Sequence, residues 1–311
     1  MRVPRQIAAS SAVLGMIAFW AAVPGTAMRA VEQDPTAGPN PAPSAEQVQS
    51  FAARLIENQH RNDLALEQFE RTERVISHRI GEASPIVPDR TSRIVPSGTG
   101  ITRFLIEEDG VPVSKEAYRR GLELAIEGLE LSLHPNERER EDLAKFEKRR
   151  RERAELVDTA MKAFRFTWAG RETRGSQTLI KILLDPNPDY KPSSRLAAAF
   201  AHIRGVMWVD ESHAQMVHIE ADIASEITFG GGLFGKVNRG GHFVMEQSEI
   251  APGVWLPTSS TYDLDGRKFL FGFGVHEKTE ISQYRNLGPP ARAIEALRNE
   301  LKILPAETST R

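Results

Sequence analysis

The sequence predicts an α+β fold built on a curved antiparallel sheet or barrel, and three observations lead there. Strand-like segments separated by turn residues run almost without a break from Phe164 to about Tyr284. That is the layout of hairpin-connected strands, not of βαβ units. Helical spacing is confined to three places: the run after Ser44, the stretch from Ser114 to Phe164, and ARAIEALRNELKIL near the end. Finally, RKFLFGFGVHE sets Gly272 and Gly274 among aromatic residues, and glycines inside a strand permit sharp curvature. With 311 residues, 40% apolar and 26% charged, the chain is long enough to bury a sizeable core.

The first segment does not belong to that fold. MRVPRQ carries two arginines and no acid, residues 7–23 are uncharged and mostly apolar, and PGTA supplies small residues before Met28. This layout predicts a secretory signal peptide over residues 1–27, cut after Ala27. Retained, the same run would be an N-terminal anchor. Residues 28–45 are rich in Pro, Ala and Gly and read as a flexible linker. One domain is then expected over 46–305, with a helical insertion around 114–164.

Its elements follow in order. AEQVQSFAARLIENQHRNDLALEQF places Val48, Phe51, Leu55 and Ile56 on one helical face, with Ser44 and Gln47 spaced for a capping box. The period then shortens through EQFERTERVISHRI, RTSRIVPS and ITRFLIEE, and Asp109-Gly110 predicts a hairpin before VPVS. KEAYRRGLELAIEGLELSL returns to helix, HPN breaks it, and a second helix follows whose part over 137–155 is dense in charge. Acids interleave with the bases there, so it reads as a solvated helix and not as a nucleic-acid arm. The closing strands include GHFVMEQSEI, VWLPTSSTYDLD and RKFLFGFGVHEKTEISQYR, with Asp265-Gly266 expected as the turn between the last two.

Composition and motifs exclude several chemistries. The chain has no cysteine, which removes thiol nucleophiles, thiolate metal sites and a lipidated N-terminal cysteine. Without the signal, 38 basic face 42 acidic side chains, and nothing in that balance implies a nucleic-acid partner. Gly230-Gly231-Gly232-Leu233-Phe234-Gly235 matches G-x-G-x-x-G, but KVNRGGHFV follows it where a dinucleotide site needs a helix. No G-x-S-x-G elbow or H-E-x-x-H is present. No catalytic residue and no cofactor are therefore expected.

Candidate sites come from RGVMWVDESHAQMVHIEADI. As a strand, its second half places Val217, Ile219, Ala221 and Ile223 on one apolar face, and His218, Glu220 and Asp222 on the other. A metal held by His218, Glu220 and His242 is the sharper alternative for that polar face. Phe269, Phe271, Phe273 and Val275 share one face of the last strand, an aromatic wall for the core or for an apolar cavity. Phe229, Leu233 and Phe234 lie on a glycine-rich loop suited to contact with a lipid or a partner.

RGVMWVDESHAQMVHIEADI resembles the glycine, alternating-hydrophobic, aspartate and strand segment of LolA/LolB-like proteins, the periplasmic lipoprotein-sorting carriers and their relatives. GVWLPTSSTYDLDGRKFLFGF, Tyr284-Arg285 and LEQFERTERV continue the likeness, which spans Ser44 to Asn286. The resemblance implies a half-open β-barrel covered by helices, around a hydrophobic cavity that holds acyl chains. It implies a periplasmic, non-enzymatic binding protein for lipid or lipoprotein acyl chains, touching the membrane only transiently. The acyl chain would lie against Val217, Ile219, Phe269, Phe271 and Phe273. An envelope sensor or scaffold that binds a protein partner through the same fold is the second reading. A metal-dependent hydrolase is the third.

Overall fold

The computed structural model of the protein describes residues 43–304 except 83–84, 99, 176, 195–196, 230–234 and 270. The signal peptide expected at 1–27 and most of the linker expected at 28–45 lie outside the described residues. So do Leu233 and Phe234.

Helix α1 (Ala45–Leu66) opens on the expected capping box: Ser44 Oγ accepts from the Gln47 amide at 3.2 Å, and Gln47 Oε1 accepts from the Ser44 amide at 2.8 Å. Strands β1 (Phe69–His78), β2 (Arg90–Pro96), β3 (Ile101–Glu108) and β4 (Val111–Pro112) form a meander. Its last turn has positive φ at both Asp109 (51°) and Gly110 (77°), as a two-residue hairpin of this hand requires. Two helices follow, α2 (Lys115–Leu133) and α3 (Glu137–Ala163), interrupted at His134-Pro135-Asn136. Then come β5 (Phe164–Arg174), β6 (Gln177–Pro186), a 3₁₀ turn, β7 (Ile203–Asp210) and β8 (Gln215–Ile223). The short strands β9 (Ile227–Phe229) and β10 (Gly235–Val237) precede β11 (His242–Ala251), β12 (Val254–Lys268) and β13 (Phe271–Asn286). Helix α4 (Pro290–Ile303) closes the described chain.

The strands form one antiparallel sheet in the order β4-β3-β2-β1-β13-β12-β11-β8-β7-β6-β5, with β9 and β10 extending from the far end of β12. The two outermost strands, β4 and β5, do not pair, so the sheet is not closed into a barrel. The first strand pairs with the last: Glu70 faces Arg285 and Arg74 faces Glu280 across the β1–β13 ladder.

Register shows that the helices cover opposite faces at the two ends of the sheet. The row Phe104, Arg93, Thr72 on β3, β2 and β1 points to α2 and α4. Followed across the ladders from β1, that face carries Lys278, Thr261, Val244 and Glu220 on β13, β12, β11 and β8. The other face carries Tyr262, Met245, Ile219, Met207 and Ile182, which form the larger core beneath α1 and α3. Val95, Phe104, Leu122, Leu129 and Leu297 make the smaller core beneath α2 and α4. Helix α2 comes so close to the sheet that a Cβ at Gly121 would meet the Phe104 ring at 2.3 Å. A side chain there is excluded.

Two sequence expectations differ from the structure. Asp265-Gly266 is not a turn. Strand β12 continues to Lys268 because Gly266 pairs with Phe273 on one side and Val237 on the other. A Cβ at Gly266 would lie 2.2 Å from the Lys236 carbonyl, so the glycine serves close strand approach. The turn comes later, at Phe269 (φ 53°), and breaks the strand expected to run through Phe269 and Phe271. In β8 the alternation also slips. Trp208 pairs with His218 but Val209 pairs with Met216, so Val217 is the extra residue of a β-bulge. Met216 is buried in its place, and Val217 is half-buried.

A buried ionic cluster joins β1, β2, β13, α2 and α4. All five guanidinium N–H groups of Arg93 are used. Nε and Nη2 donate to Glu70 Oε2 at 2.9 and 2.7 Å, Nη2 also to Glu300 Oε2 at 2.9 Å, and Nη1 to Glu300 Oε1 at 2.6 Å and Tyr118 Oη at 2.7 Å. Arg285 binds the other oxygen of Glu70. Burial pushes the Glu300 carboxyl up, but hydrogen bonds from Arg93 and Tyr118 outweigh it and hold the group below the usual range.

Removing one member of such a cluster leaves buried charge unpaired, at a cost of about 3–5 kcal/mol. Arg93→Met is expected to lower the urea midpoint accordingly, and adding Glu70→Gln and Glu300→Gln to that variant is expected to restore part of the loss. Unpaired carboxylates, not lost packing, would then be the cause. The Glu300 contribution is complete above the ordinary glutamate pKa of about 4.3 and is lost as pH falls through its lower folded value. Unfolding midpoints measured below pH 5 should therefore drop less steeply in Glu300→Gln than in the natural chain.

Candidate functional site

Where α1 and α3 cross the larger core, they leave a cavity of about 70 Å³. Leu55, Ile56 and Gln59 line it from α1, and Val157, Ala160 and Met161 from α3. Both sets repeat at three to four residues, the spacing of one helical face. The sheet supplies Phe166, Met207, Met216, Ile219 and Met245. Met207, Ile219 and Met245 are direct partners across three strands, which sets them in one row under the helices. Gln59 is the one polar residue in this lining.

Methionine marks the site. The chain has seven, three of them at positions 1, 16 and 28, and the other four are Met161, Met207, Met216 and Met245. An unbranched thioether with three rotatable bonds fills irregular space and repacks around different shapes. Sequence reading had passed over these residues. Their confinement to sheet and cover, with none in the loops between, was the available signal.

The two covering helices are held differently. Asn58 Nδ2 of α1 donates to the carbonyls of His213 and Ala214, both at 2.8 Å, and so grips the β7–β8 turn. Asn62 donates to Gln215 Oε1 at 2.8 Å and accepts from the Trp255 amide at 3.1 Å. These amides are buried and mutually satisfied, which fixes α1 on the sheet. Helix α3 is tied to α1 by His60–Asp158 at 2.9 Å and Arg150–Glu67 at 3.3 Å. Both pairs are substantially exposed, and pairs of that kind contribute about 0–1 kcal/mol each. Helix α3 is the weaker cover.

Toward the C-terminal end of α1 the interhelical seam widens into a cleft of about 1070 Å³, with Arg149, Arg150 and Arg153 along α3 and Asp63 and Glu67 along α1. Burial pushes the Asp63 carboxyl up against the pull of Arg153.

The structure separates the residues that the sequence had grouped. Ile219 lines the cavity and Val217 does not, because of the bulge. Phe269, Phe271 and Phe273 are not a cavity wall: they are 53, 79 and 38% exposed at the tip of the β12–β13 hairpin. Phe273 lies over Gly266, and Phe271 pairs with Lys268 at the last rung. Phe229 is half-buried against the larger core.

His218, Glu220 and His242 lie on the face away from the cavity, and the structure does not assemble them around one point. His218 Nε2 bonds Glu220 Oε1 at 2.9 Å, and its ring packs edge-on to Trp208 at 4.9 Å. His242 instead pairs with Asp222, whose hydrogen bond raises the imidazole pKa above its ordinary value. Among the described residues no three His, Asp or Glu side chains are placed to hold a metal ion.

No protein-family model matches the sequence. No curated protein matches it either. Among solved structures, the chain is similar to a LolA superfamily protein from Nitrosomonas europaea, at 7% identity and a TM-score of 0.32, over 78% of this chain and 96% of that one. A domain described as an outer-membrane lipoprotein-sorting protein, from Vibrio parahaemolyticus, is similar at 13% identity and a TM-score of 0.29, over 79% and 99%. A DUF1329 family protein from Desulfovibrio piger gives 11% identity and a TM-score of 0.29, over 77% and 92%. The likeness is distant.

Proposed function

We propose that this protein is a non-enzymatic binding protein of the cell envelope that shelters an acyl chain, of a lipid or a lipoprotein, between its helical cover and its sheet. The methionine-lined cavity carries this reading: ten of its eleven lining residues are apolar, and four of them are Met. The basic start, the apolar run at 7–23 and the small residues before Met28 support export to the periplasm.

The cavity as it stands is less than half of the roughly 150 Å³ that admits a benzene molecule. An acyl chain therefore enters by displacing a cover, and α3 is the one held by exposed ion pairs. Each buried CH₂ stabilises by about 0.8 kcal/mol, so some eight methylenes supply about 6 kcal/mol. The acyl chain takes over the apolar contacts that Val157, Ala160 and Met161 give up, and the two ion pairs across the seam add little against it. Apolar burial decides the balance, and no charged contact is needed to hold the chain.

Protein extracted from the periplasm should carry lipid detectable by native mass spectrometry, and the emptied protein should bind a fluorescent fatty acid. Ala160→Phe, which fills the cavity from the movable helix, is expected to weaken that binding about tenfold or more while the thermal unfolding midpoint stays close to that of the natural chain. Protein that carries no lipid and has no affinity for the probe would sink the reading.

A further inference from the structure

The tip of the β12–β13 hairpin stands outside both cores, yet it is built of large apolar residues. Phe271 is 79% exposed and Phe269 53%. Phe269 also sits at φ 53°, a left-handed conformation that hairpin turns normally assign to Gly, Asn or Asp and that a bulky side chain adopts only under strain. A turn shaped by folding alone would not place a phenylalanine there.

A second loop adds to the same surface. Between β1 and β2, Ile80, Ile86 and Val87 are 47, 44 and 39% exposed. A Cβ at Gly274 would lie 3.8 Å from Ile80, so this loop adjoins the hairpin beside Phe273. Behind the apolar residues stand bases. Arg267 and Lys268 are exposed on the last rungs of β12, Lys236 faces Arg267 from β10, and Arg79 opens the β1–β2 loop. Of these bases, Lys236 is paired with Glu226 at 2.6 Å and Arg79 with Glu82 at 3.9 Å.

We propose that this tip is a membrane-contacting surface, with Phe269 and Phe271 entering the interfacial region of an anionic lipid bilayer while Arg267 and Lys268 meet its headgroups. Chemistry favours lipid over a protein partner. β10 pairs with the last rungs of β12 and the β1–β2 loop adjoins β13, so the apolar side chains stand along a broad edge, and a fluid bilayer closes around each inserted ring without needing a complementary surface. Apolar side chains backed by bases are the arrangement that lies in such an interface, and each base near an anionic surface adds to the attraction. The tip is eight residues along β12 from Ser260, the partner of Met245 in the cavity wall, or roughly 26 Å. Lipid contact at the tip is thus separate from binding in the cavity, and either holds without the other.

Flotation of the full chain with vesicles tests it, using phosphatidylcholine alone and phosphatidylcholine mixed with phosphatidylglycerol. The natural chain should float with the mixed vesicles and much less with the neutral ones. Phe269→Ser/Phe271→Ser should lower that partition roughly tenfold or more, and Arg267→Glu/Lys268→Glu should abolish the preference for the anionic lipid. Both variants should keep the unfolding midpoint of the natural chain, since the altered side chains are exposed. The proposal is overturned if the natural chain floats with neither vesicle, or if the serine variant floats as well as its parent. Equal flotation with both vesicles rejects the role given to the bases. A natural chain that sediments as a dimer, and as a monomer once Phe271 is serine, would make the tip a self-association surface instead.

Discussion

Glu70 and Arg285 face each other across the ladder that joins the first strand to the last, and the architecture hangs on that junction. Every other neighbour in the main path is a hairpin partner or a short excursion away in sequence. The β1–β13 pairing alone brings the meander β4–β1 beside the larger array β5–β13. Sheet pairing that must close so long an intervening chain is entropically costly, and here it is reinforced by side chains on one face. Arg93 holds Glu70 from the next strand and Glu300 from α4, and Tyr118 of α2 shares the same carboxylate. The cluster therefore sets strand order and helix position together. A buried ion cluster is a poor source of net stability compared with apolar packing; what its geometry supplies is a register that a greasy contact would leave loose.

With the two meanders joined in one sheet, the helices divide it. Helices α2 and α4 take one face over β1–β3, and α1 and α3 take the other over β5–β8 and β11–β12. Each half of the sheet therefore has a face that no helix covers, and its composition follows. On the uncovered side of β8, β11, β12 and β13 the rows are His218, Glu220, Asp222, His242, Asp263, His276 and Lys278. They pair among themselves across neighbouring strands: His242 with Asp222, and His276 with Asp263 at 2.9 Å. Histidines beside carboxylates look like a metal site in sequence. In the sheet they are cross-strand pairs of the kind that stabilises a solvent-facing surface.

The sequence held most of the elements, because each depends on local signals. The capping box at Ser44, the break at His134-Pro135-Asn136 and the hairpin at Asp109-Gly110 all stand as read. Asp265-Gly266 is the same dipeptide with a different outcome, and the difference is not local. At Asp109-Gly110 both φ angles are positive and a Cβ at the glycine would meet nothing. Gly266 is clasped between β10 and β13, and β10 lies some thirty residues upstream. Pairing at that range overrides turn propensity. The error then moved the aromatic residues: a strand read as continuous through Phe269 puts three rings on a wall, while a turn at Phe269 puts them at a tip. Val217 was lost in a similar way, to a bulge visible only in the register of two strands. Ile219 survived because it lies beyond the bulge.

What remains is why one chain should have both a soft cavity and a hard tip. The cavity is lined by four thioethers, a side chain able to repack, and covered by a helix tied to α1 through exposed ion pairs. Helix α3 is dominated by Arg, Lys and Glu, with Val157 and Ala163 buried among its described apolar residues. The tip has the reverse design. It stands on the longest strands, β12 and β13, paired rung for rung from Ser259–Glu280 to Lys268–Phe271, so its rings are carried on a rigid support. A flexible loop could fold its apolar residues back onto the protein, at a gain of roughly 1.5–3 kcal/mol for each large side chain covered. A paired hairpin cannot, and that rigidity keeps Phe269 and Phe271 facing outward against the hydrophobic effect.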